Sequence, residues 1–218
     1  SRSTHSEETH LTMVERLQQL AKVLEKSGLV YALAGGLVAS LYRKAPRATA
    51  DIDVAILTDD AAMASGLLRS LGLETHSLRQ ANLEGGPLFA IKKKTTPVYL
   101  VCGREKDSTE SIGIDFLLST MPWVKTALER AQAHRVDFGF GAIPCLTLED
   151  FIVSKLYAVG NQSSRFMDLD DLRSVFELDA QVDWIYVRDR AKQLKLVVPK
   201  ALKPFIPKNA LKGIPLKG

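Results

Sequence analysis

Two aspartates, Asp51 and Asp53, stand two positions apart in the apolar stretch from Asp51 to Leu57. On a β-strand this spacing puts both carboxylates on one face, with their Cα atoms about 6–7 Å apart, while Ile52 and Val54 point into the core. Such carboxylates repel each other unless a cation lies between them. Mg²⁺ is the usual cation when phosphate supplies the remaining oxygen ligands. The pair therefore indicates either a metal site for phosphate chemistry or two solvated acids at a strand end.

A third acid, Asp115, lies in a second strand-like stretch, Gly113-Ile114-Asp115-Phe116-Leu117-Leu118. Three carboxylates can hold two metal ions about 3.5–4 Å apart, an arrangement that suits in-line attack at phosphorus. The simpler interpretation of Asp115 is an acid at a strand edge or in an ion pair.

A pair of glycines, Gly35 and Gly36, follows an apolar run and precedes a short helix-like segment. A turn without side chains lets backbone N–H groups approach a triphosphate, helped by the N-terminus of the next helix. Most Gly-Gly pairs are only turns. The order of Gly-Gly turn, short helix, Asp-x-Asp strand and later strand aspartate is what points to one phosphate and metal site.

The hydrophobic pattern predicts the elements that must position these residues. Apolar residues at helical spacing predict a first helix that ends near Gly28, and Asp59-Asp60 should cap a helix further on. We predict strands at 29–34, 51–57, 88–92, 98–102 and 111–118, helices at 37–43, 61–71, 121–133, 148–159, 168–176 and 182–194, and a small hairpin within 136–145. The expected class is α+β, a mixed sheet followed by a helical C-terminal half.

Composition sets limits on this picture. With 218 residues, 46% apolar and 25% charged, the chain has material for one full core and a small annex, which excludes collagen-like and wholly disordered classes. Two cysteines, Cys102 and Cys145, are too few for a disulfide framework and favour a reduced, cytoplasmic setting. We expect no signal peptide and no membrane span.

The charge is unevenly distributed along the chain. The net charge is +4, but residues 181–218 contain nine Lys and Arg against two Asp, which leaves the first 180 residues with a net negative charge. Such a basic end predicts either a polyanionic partner such as RNA or a solvated, flexible terminus. The lysines concerned are Lys192, Lys195, Lys200, Lys203, Lys208, Lys212 and Lys217.

The run from Ala34 to Leu41, followed by Arg47-Ala48-Thr49-Ala50-Asp51-Ile52-Asp53, resembles the polymerase-beta-like nucleotidyltransferases, and most of all their bacterial AbiEii-like and MenT-like toxin branch. The similarity continues in Leu148–Leu156 and Arg165–Leu172, so it covers about residues 29–176. It implies a nucleotidyltransferase core at 1–145, including the N-terminal helix, and a helical subdomain at 146–196. A basic, Pro- and Lys-rich tail at 197–218 completes the expected division.

The resemblance also implies roles for individual residues. Asp51 and Asp53 would bind both metal ions, Mg²⁺ or alternatively Mn²⁺, and Asp115 would ligate one metal and orient the attacking hydroxyl. Arg165, Asp168 and Asp171 are expected to hold their helix against the sheet rather than to do chemistry. The nucleotide-binding candidates are Gly35, Gly36, Ser40, Arg47, Thr49 and Lys155.

The function that follows is transfer of a nucleoside monophosphate from an NTP to a hydroxyl acceptor, with release of pyrophosphate. The acceptor would be RNA such as tRNA, or protein, and the chain would be the toxin of a toxin–antitoxin pair with an antitoxin partner. Three alternatives stay open: a non-catalytic pseudoenzyme that binds a nucleotide or a partner, a two-metal hydrolase, and a nucleotidyltransferase of small molecules such as aminoglycosides. The presence of all three acids argues against the first, and the Gly-Gly turn argues against the second.

Overall fold

A computed structural model describes residues 11–45, 48–79, 97–106, 111–161, 165–177 and 181–217. The helices are α1 (Met13–Ser27), α2 (Gly35–Tyr42), α3 (Ala61–Ser70), α4 (Val124–Ala131), α5 (Leu148–Asn161), α6 (Phe166–Phe176) and α7 (Trp184–Gln193), with a 3-10 helix at Lys200–Phe205. The strands are β1 (Tyr31–Leu33), β2 (Asp51–Ile56), β3 (Glu74–Arg79), β4 (Val98–Arg104), β5 (Gly113–Leu118), β6 (Arg135–Asp137), β7 (Ala142–Pro144), β8 (Val198–Pro199) and β9 (Leu216–Lys217). The predicted α+β class is confirmed.

The central sheet has five strands in the order β1-β2-β5-β4-β3. The central strands β2 and β5 are parallel, and the other neighbouring pairs are antiparallel. In the β2–β5 pairing, Asp51 lies opposite Gly113 and Asp53 lies opposite Asp115. Two stretches about sixty residues apart in the chain are thereby brought side by side.

One face of the sheet is the hydrophobic core. Ile52, Val54, Ile114 and Phe116, which alternate with the aspartates, are fully buried. Helix α3 packs against β3, β4 and β5, while α4 packs against β1 and β2. Because side chains alternate between the faces of a strand, the acids are left on the opposite face.

Local signals explain several element ends. Helix α1 begins with a capping box between Thr12 and Glu15, and it ends at Gly28, which adopts the left-handed conformation with φ 70°. The Asp60 carboxylate caps α3 by accepting from the N–H groups of Ala62 and Met63. Both ends agree with the prediction.

Several elements differ from the prediction, including β8, β9 and the 3-10 helix, which the sequence pattern did not indicate. Helix α2 begins at Gly35 itself, two residues before the expected start, so the glycine pair forms its first turn. Strand β3 was not predicted, because its residues are mostly polar and exposed and give no apolar alternation. The strand expected at 88–92 lies outside the described residues.

The C-terminal half is helical and carries the end of the chain on its surface. Helix α5 packs against α6 and α7, and the 3-10 helix packs against α6. Leu202, Leu211 and Ile214 are buried, and β8 pairs with β9, so residues 198–217 are docked. The boundaries at 145 and 196 remain our proposed division of the chain. Among the helices of the described ranges, none has both the length and the apolarity to cross a membrane.

Candidate active site

The three candidate aspartates converge on the open face of the sheet. Asp53 of β2 and Asp115 of β5 are direct neighbours in the parallel ladder. Asp51 lies two residues before Asp53 on β2 and therefore on the same face of the sheet. The side chain of Asp51 is 39% exposed and that of Asp115 is 16% exposed. The prediction that these residues share a face agrees with the observed register.

Helix α2 packs its first turn directly on Asp53. The N–H of Gly36 donates to Asp53 Oδ2 over 3.4 Å. Gly35 has φ +57°, and a Cβ at this position would lie 1.7 Å from the same oxygen. Only glycine fits here, for both the backbone conformation and the space.

The environment of Asp53 disfavours its negative charge. Burial, and secondly the charge of Asp115, raise the pKa of Asp53 to about 6, while Lys155 and the N–H of Gly36 oppose the shift. A bound cation would remove most of this penalty, because an opposite charge nearby favours the ionised carboxylate.

An arginine that sequence reasoning missed lies between the acids. Arg104, the last residue of β4, donates from Nη1 to Asp115 Oδ1 over 2.6 Å, and its Nη2 lies 3.5 Å from Asp51 Oδ1. No local motif marks it, because its position depends on the antiparallel register of β4 on β5. The usable signal would have been a basic residue ending the strand that precedes the Gly-x-Asp strand.

Cys102 neighbours Asp115 in the same ladder. Burial, followed by the charge of Asp115 and a hydrogen bond to it, raises the pKa of the Cys102 thiol to about 12. A thiol with so high a pKa is not a nucleophile at neutral pH, so Cys102 is a buried packing residue of the sheet.

The donor set fits a hard divalent cation, since three carboxylates of one face border the same space and one of them has a raised pKa. In their present positions, however, no three His, Cys, Asp or Glu side chains of the described residues are grouped closely enough to hold a metal ion. Arg104 is the cation that contacts Asp51 and Asp115 instead.

A cavity of about 970 Å³ opens over these acids. Its lining includes the acids Asp51, Asp53 and Asp115, together with Gly35, Thr49 and Lys155. Apolar and aromatic residues also line it, among them Tyr99, Leu117, Met121, Trp123 and Tyr157. Trp123 is otherwise buried. The lining thus combines charged groups with aromatic side chains, on which a flat ring can stack.

The structure brings some of the nucleotide-binding candidates together and not others. Gly35 and Thr49 line the cavity, and Thr49 Oγ1 donates to the backbone oxygen of Asp51 over 3.1 Å. Gly36 is buried, with its N–H on Asp53. Ser40 is turned toward its own helix, where its hydroxyl donates to Gly36 O over 3.2 Å. Arg47 lies outside the described residues.

Lys155 reaches the cavity from α5 but is held by two acids of α6. Its Nζ lies 2.5 Å from Asp168 Oδ1 and 2.9 Å from Asp171 Oδ2. Asp168 also accepts Arg165 at 2.5 Å, and Asp171 accepts Arg43, just after α2, at 2.7 Å. These contacts hold α6 against α5 and against the end of α2.

The chain matches a known protein family over most of its length. A family model described as "Nucleotidyl transferase AbiEii toxin, Type IV TA system" matches residues 17–209, which extends beyond the motifs at 29–176. A search of curated proteins found no significant match.

Several solved structures are similar at low identity. A solution structure of the antibiotic-resistance factor ANT(2'')-Ia is 14% identical, covers 83% of this chain and 88% of that chain, and has a TM-score of 0.47. A nucleotidyltransferase-like antigenic protein from Paracoccidioides brasiliensis is 16% identical, with 94% of each chain covered and a TM-score of 0.49. A tRNA-processing enzyme is 12% identical over 84% of this chain and 57% of that chain, with a TM-score of 0.35.

Proposed function

Because the chain belongs to the AbiEii nucleotidyltransferase toxin family, and is therefore a nucleotidyltransferase, we propose that its acidic sheet face transfers a nucleoside monophosphate from an NTP to a hydroxyl acceptor. One observation carries the proposal. Asp51, Asp53 and Asp115, drawn from two parallel strands, line one large cavity beside Gly35, where neither the backbone conformation nor the space allows a side chain. Membership of a nucleotidyltransferase family argues against the pseudoenzyme and hydrolase alternatives.

In the proposed reaction the acceptor oxygen attacks the α-phosphorus of the NTP and the bond to the β-phosphate oxygen breaks. Pyrophosphate leaves with that electron pair, and the hydroxyl proton passes to a carboxylate, for which Asp115 is our candidate. Asp51, Asp53 and Asp115 would hold Mg²⁺, or alternatively Mn²⁺, which when bound supplies charge stabilisation to the attacking and leaving oxygens. The protein's own share is mainly positioning.

The lining of the cavity suggests how an NTP would lie. The phosphates would lie near Gly35, Thr49 and Lys155, with Gly36, Ser40 and Arg47 as further candidates from the sequence. The base would stack on an aromatic residue of the lining, for which Tyr99 and Trp123 are our candidates. Lys155 would act with its charge already shared by Asp168 and Asp171, so we propose that it orients phosphate rather than neutralising it.

For the acceptor, we propose RNA such as tRNA, ahead of protein. All seven lysines from Lys192 to Lys217 are exposed, and within the described ranges none of them forms an ion pair. They lie on a docked segment rather than on a loose end, and lysines held on a folded surface can contact a phosphate backbone.

The family is a toxin family of type IV toxin–antitoxin systems. We accordingly propose that this chain acts as a toxin, with an antitoxin as its partner. A cytoplasmic location is proposed as well, in agreement with two cysteines that are both free and buried.

The test is transfer of label from each of the four α-labelled NTPs, with Mg²⁺, to total RNA and separately to cell protein. We expect label in RNA, and a weaker signal when salt is raised from 50 to 200 mM. Label in protein alone would overturn the RNA acceptor but not the activity. No transfer to either fraction, with or without Mn²⁺, would overturn the proposal. Replacing Lys203, Lys208 and Lys212 with Glu should weaken labelling of RNA. It should leave unchanged any pyrophosphate release in which water, instead of RNA, is the acceptor.

A further inference from the structure

Arg104 reaches Asp51 across a strand that has no side chain in the way. The register pairs Asp51 of β2 with Gly113 of β5, and Gly103 of β4 with Ile114, so Arg104 follows directly where the β4–β5 ladder ends. A Cβ at Gly113 would lie 2.4 Å from Asp51 Oδ1 and 2.5 Å from Arg104 Nη1. The absent side chain of Gly113 is therefore what lets the guanidinium and the carboxylate meet above β5.

The guanidinium is held there by several acceptors. Besides Asp115, its Nη1 donates to the backbone oxygen of Gly103 over 2.8 Å and to that of Ile114 over 3.4 Å. Its side chain is 36% exposed, so it borders solvent. Arg104 thus occupies the same carboxylate oxygens that a metal ion at this site needs.

On the basis of the proposed function, we propose that Arg104 is an internal cation that holds Asp51 and Asp115 while metal is absent and that a divalent metal must displace to bind. Arg104 is on this view a positioning residue. It keeps the two acids together over Gly113 before metal arrives, and it weakens metal binding by competing for the same oxygens.

The test is titration of Mn²⁺ into the metal-free full chain, with free Mn²⁺ measured by electron paramagnetic resonance. We expect Arg104→Gln to bind Mn²⁺ about 3- to 10-fold more tightly than the wild type, the size expected for loss of a partly exposed competing ion pair. Arg104→Lys should fall between the two, because one ammonium keeps the charge but cannot donate to both carboxylates as a guanidinium does. The increase in Tm on adding Mn²⁺ should be larger for Arg104→Gln than for the wild type.

Arg130 provides a matched control, since it also joins two acids, Glu149 at 3.2 Å and Asp150 at 2.8 Å, away from the cavity. Arg130→Gln should leave the Mn²⁺ affinity unchanged. Equal or weaker Mn²⁺ binding by Arg104→Gln, with a folded protein and an unchanged control, would overturn the role of Arg104 and leave the proposed function intact. No Mn²⁺ binding by the wild type or the variants would instead contradict the metal site itself, and this inference with it.

Discussion

Two clusters of charged side chains meet at the cavity, and they are built differently. Where α5 and α6 meet, Lys155, Arg43 and Arg165 face Asp168, Asp170 and Asp171, so three cations face three acids at distances of 2.5–2.9 Å. On the sheet face, three acids share Arg104, and one of its two carboxylate contacts is as long as 3.5 Å.

The two clusters differ in the balance between positive and negative charges. Asp171 is fully buried and Asp168 nearly so, but each has cationic partners, so the helical cluster is a complete set of ion pairs. The sheet face retains an excess of negative charge, and the pKa of Asp53 is raised to about 6 there. Folding alone does not favour that arrangement, which supports our proposal that the sheet face binds a ligand of opposite charge.

The largest expected effect is the loss of nucleotide transfer when an acid of the sheet face is removed. Asp51→Ala and Asp53→Ala should each lower nucleotide transfer by about a thousandfold or more, because the site loses carboxylates proposed to hold metal. The Tm of the metal-free protein should not fall, since the removed charges are not stabilising. Label transfer measures the activity, and thermal unfolding measures the Tm. Full residual transfer by both variants would refute the assignment of the sheet face.

The second effect tests the helical cluster through stability. Asp171→Ala should cost about 3–5 kcal/mol of unfolding free energy, because it removes a fully buried carboxylate that pairs with both Lys155 and Arg43 and leaves three cations facing two acids. Urea unfolding measures this value. The neighbouring Asp170 is 57% exposed, so Asp170→Ala should cost less than about 1 kcal/mol. Similar losses for the two variants would contradict the structural role of the buried pairs.

Gly28 and Gly35 both have φ in the left-handed region, but only Gly35 lies against a candidate active-site residue. Gly28 has open space around its Cβ position, whereas a Cβ at Gly35 would collide with Asp53. Both Gly→Ala variants should lose about 1–2 kcal/mol of stability from the backbone conformation. Only Gly35→Ala should also lower label transfer, by about a hundredfold, because it displaces a reacting-site carboxylate. An equal effect of both variants on transfer would show that Asp53 tolerates displacement.

The smallest effect is a pH dependence of stability. The pKa of Asp53 is raised on folding, so its protonation stabilises the folded state at low pH, and this stabilisation is lost as the pH rises through about 6. Asp53→Asn cannot ionise and should be about 1–2 kcal/mol more stable than the wild type at pH 8 with a chelator present. The advantage should vanish near pH 4. An advantage that is the same at both pH values would contradict the assigned cause.

Much of the site could be predicted because its signals are local. The alternation of β2 decides which face Asp51 and Asp53 share, since successive side chains on a strand point in opposite directions. The same rule applies to Asp115 on β5. Helix starts such as Asp60 follow from a side chain that satisfies free N–H groups within three residues.

The missed features depend on contacts between distant parts of the chain. Strand β3 is polar and exposed and forms because β4 offers it a ladder partner. Arg104 acts on Asp51 only through the registers of two strand pairs and the missing side chain of Gly113. The sequence predicts Lys155 as a nucleotide-binding residue but not its ion pairs with Asp168 and Asp171, which depend on the packing of α6 against α5.

The sequence by itself determined the strand faces, the capped helices and the family, because periodicity, capping and motif order are properties of short segments. Tertiary structure alone decided that Asp53 and Asp115 are neighbours and that Arg104 lies between Asp51 and Asp115. It also decided that the basic C-terminal segment is docked on the helical half with its lysines exposed. These outcomes depend on strand register and helix packing, which arise only when segments far apart in the chain bury their apolar faces together.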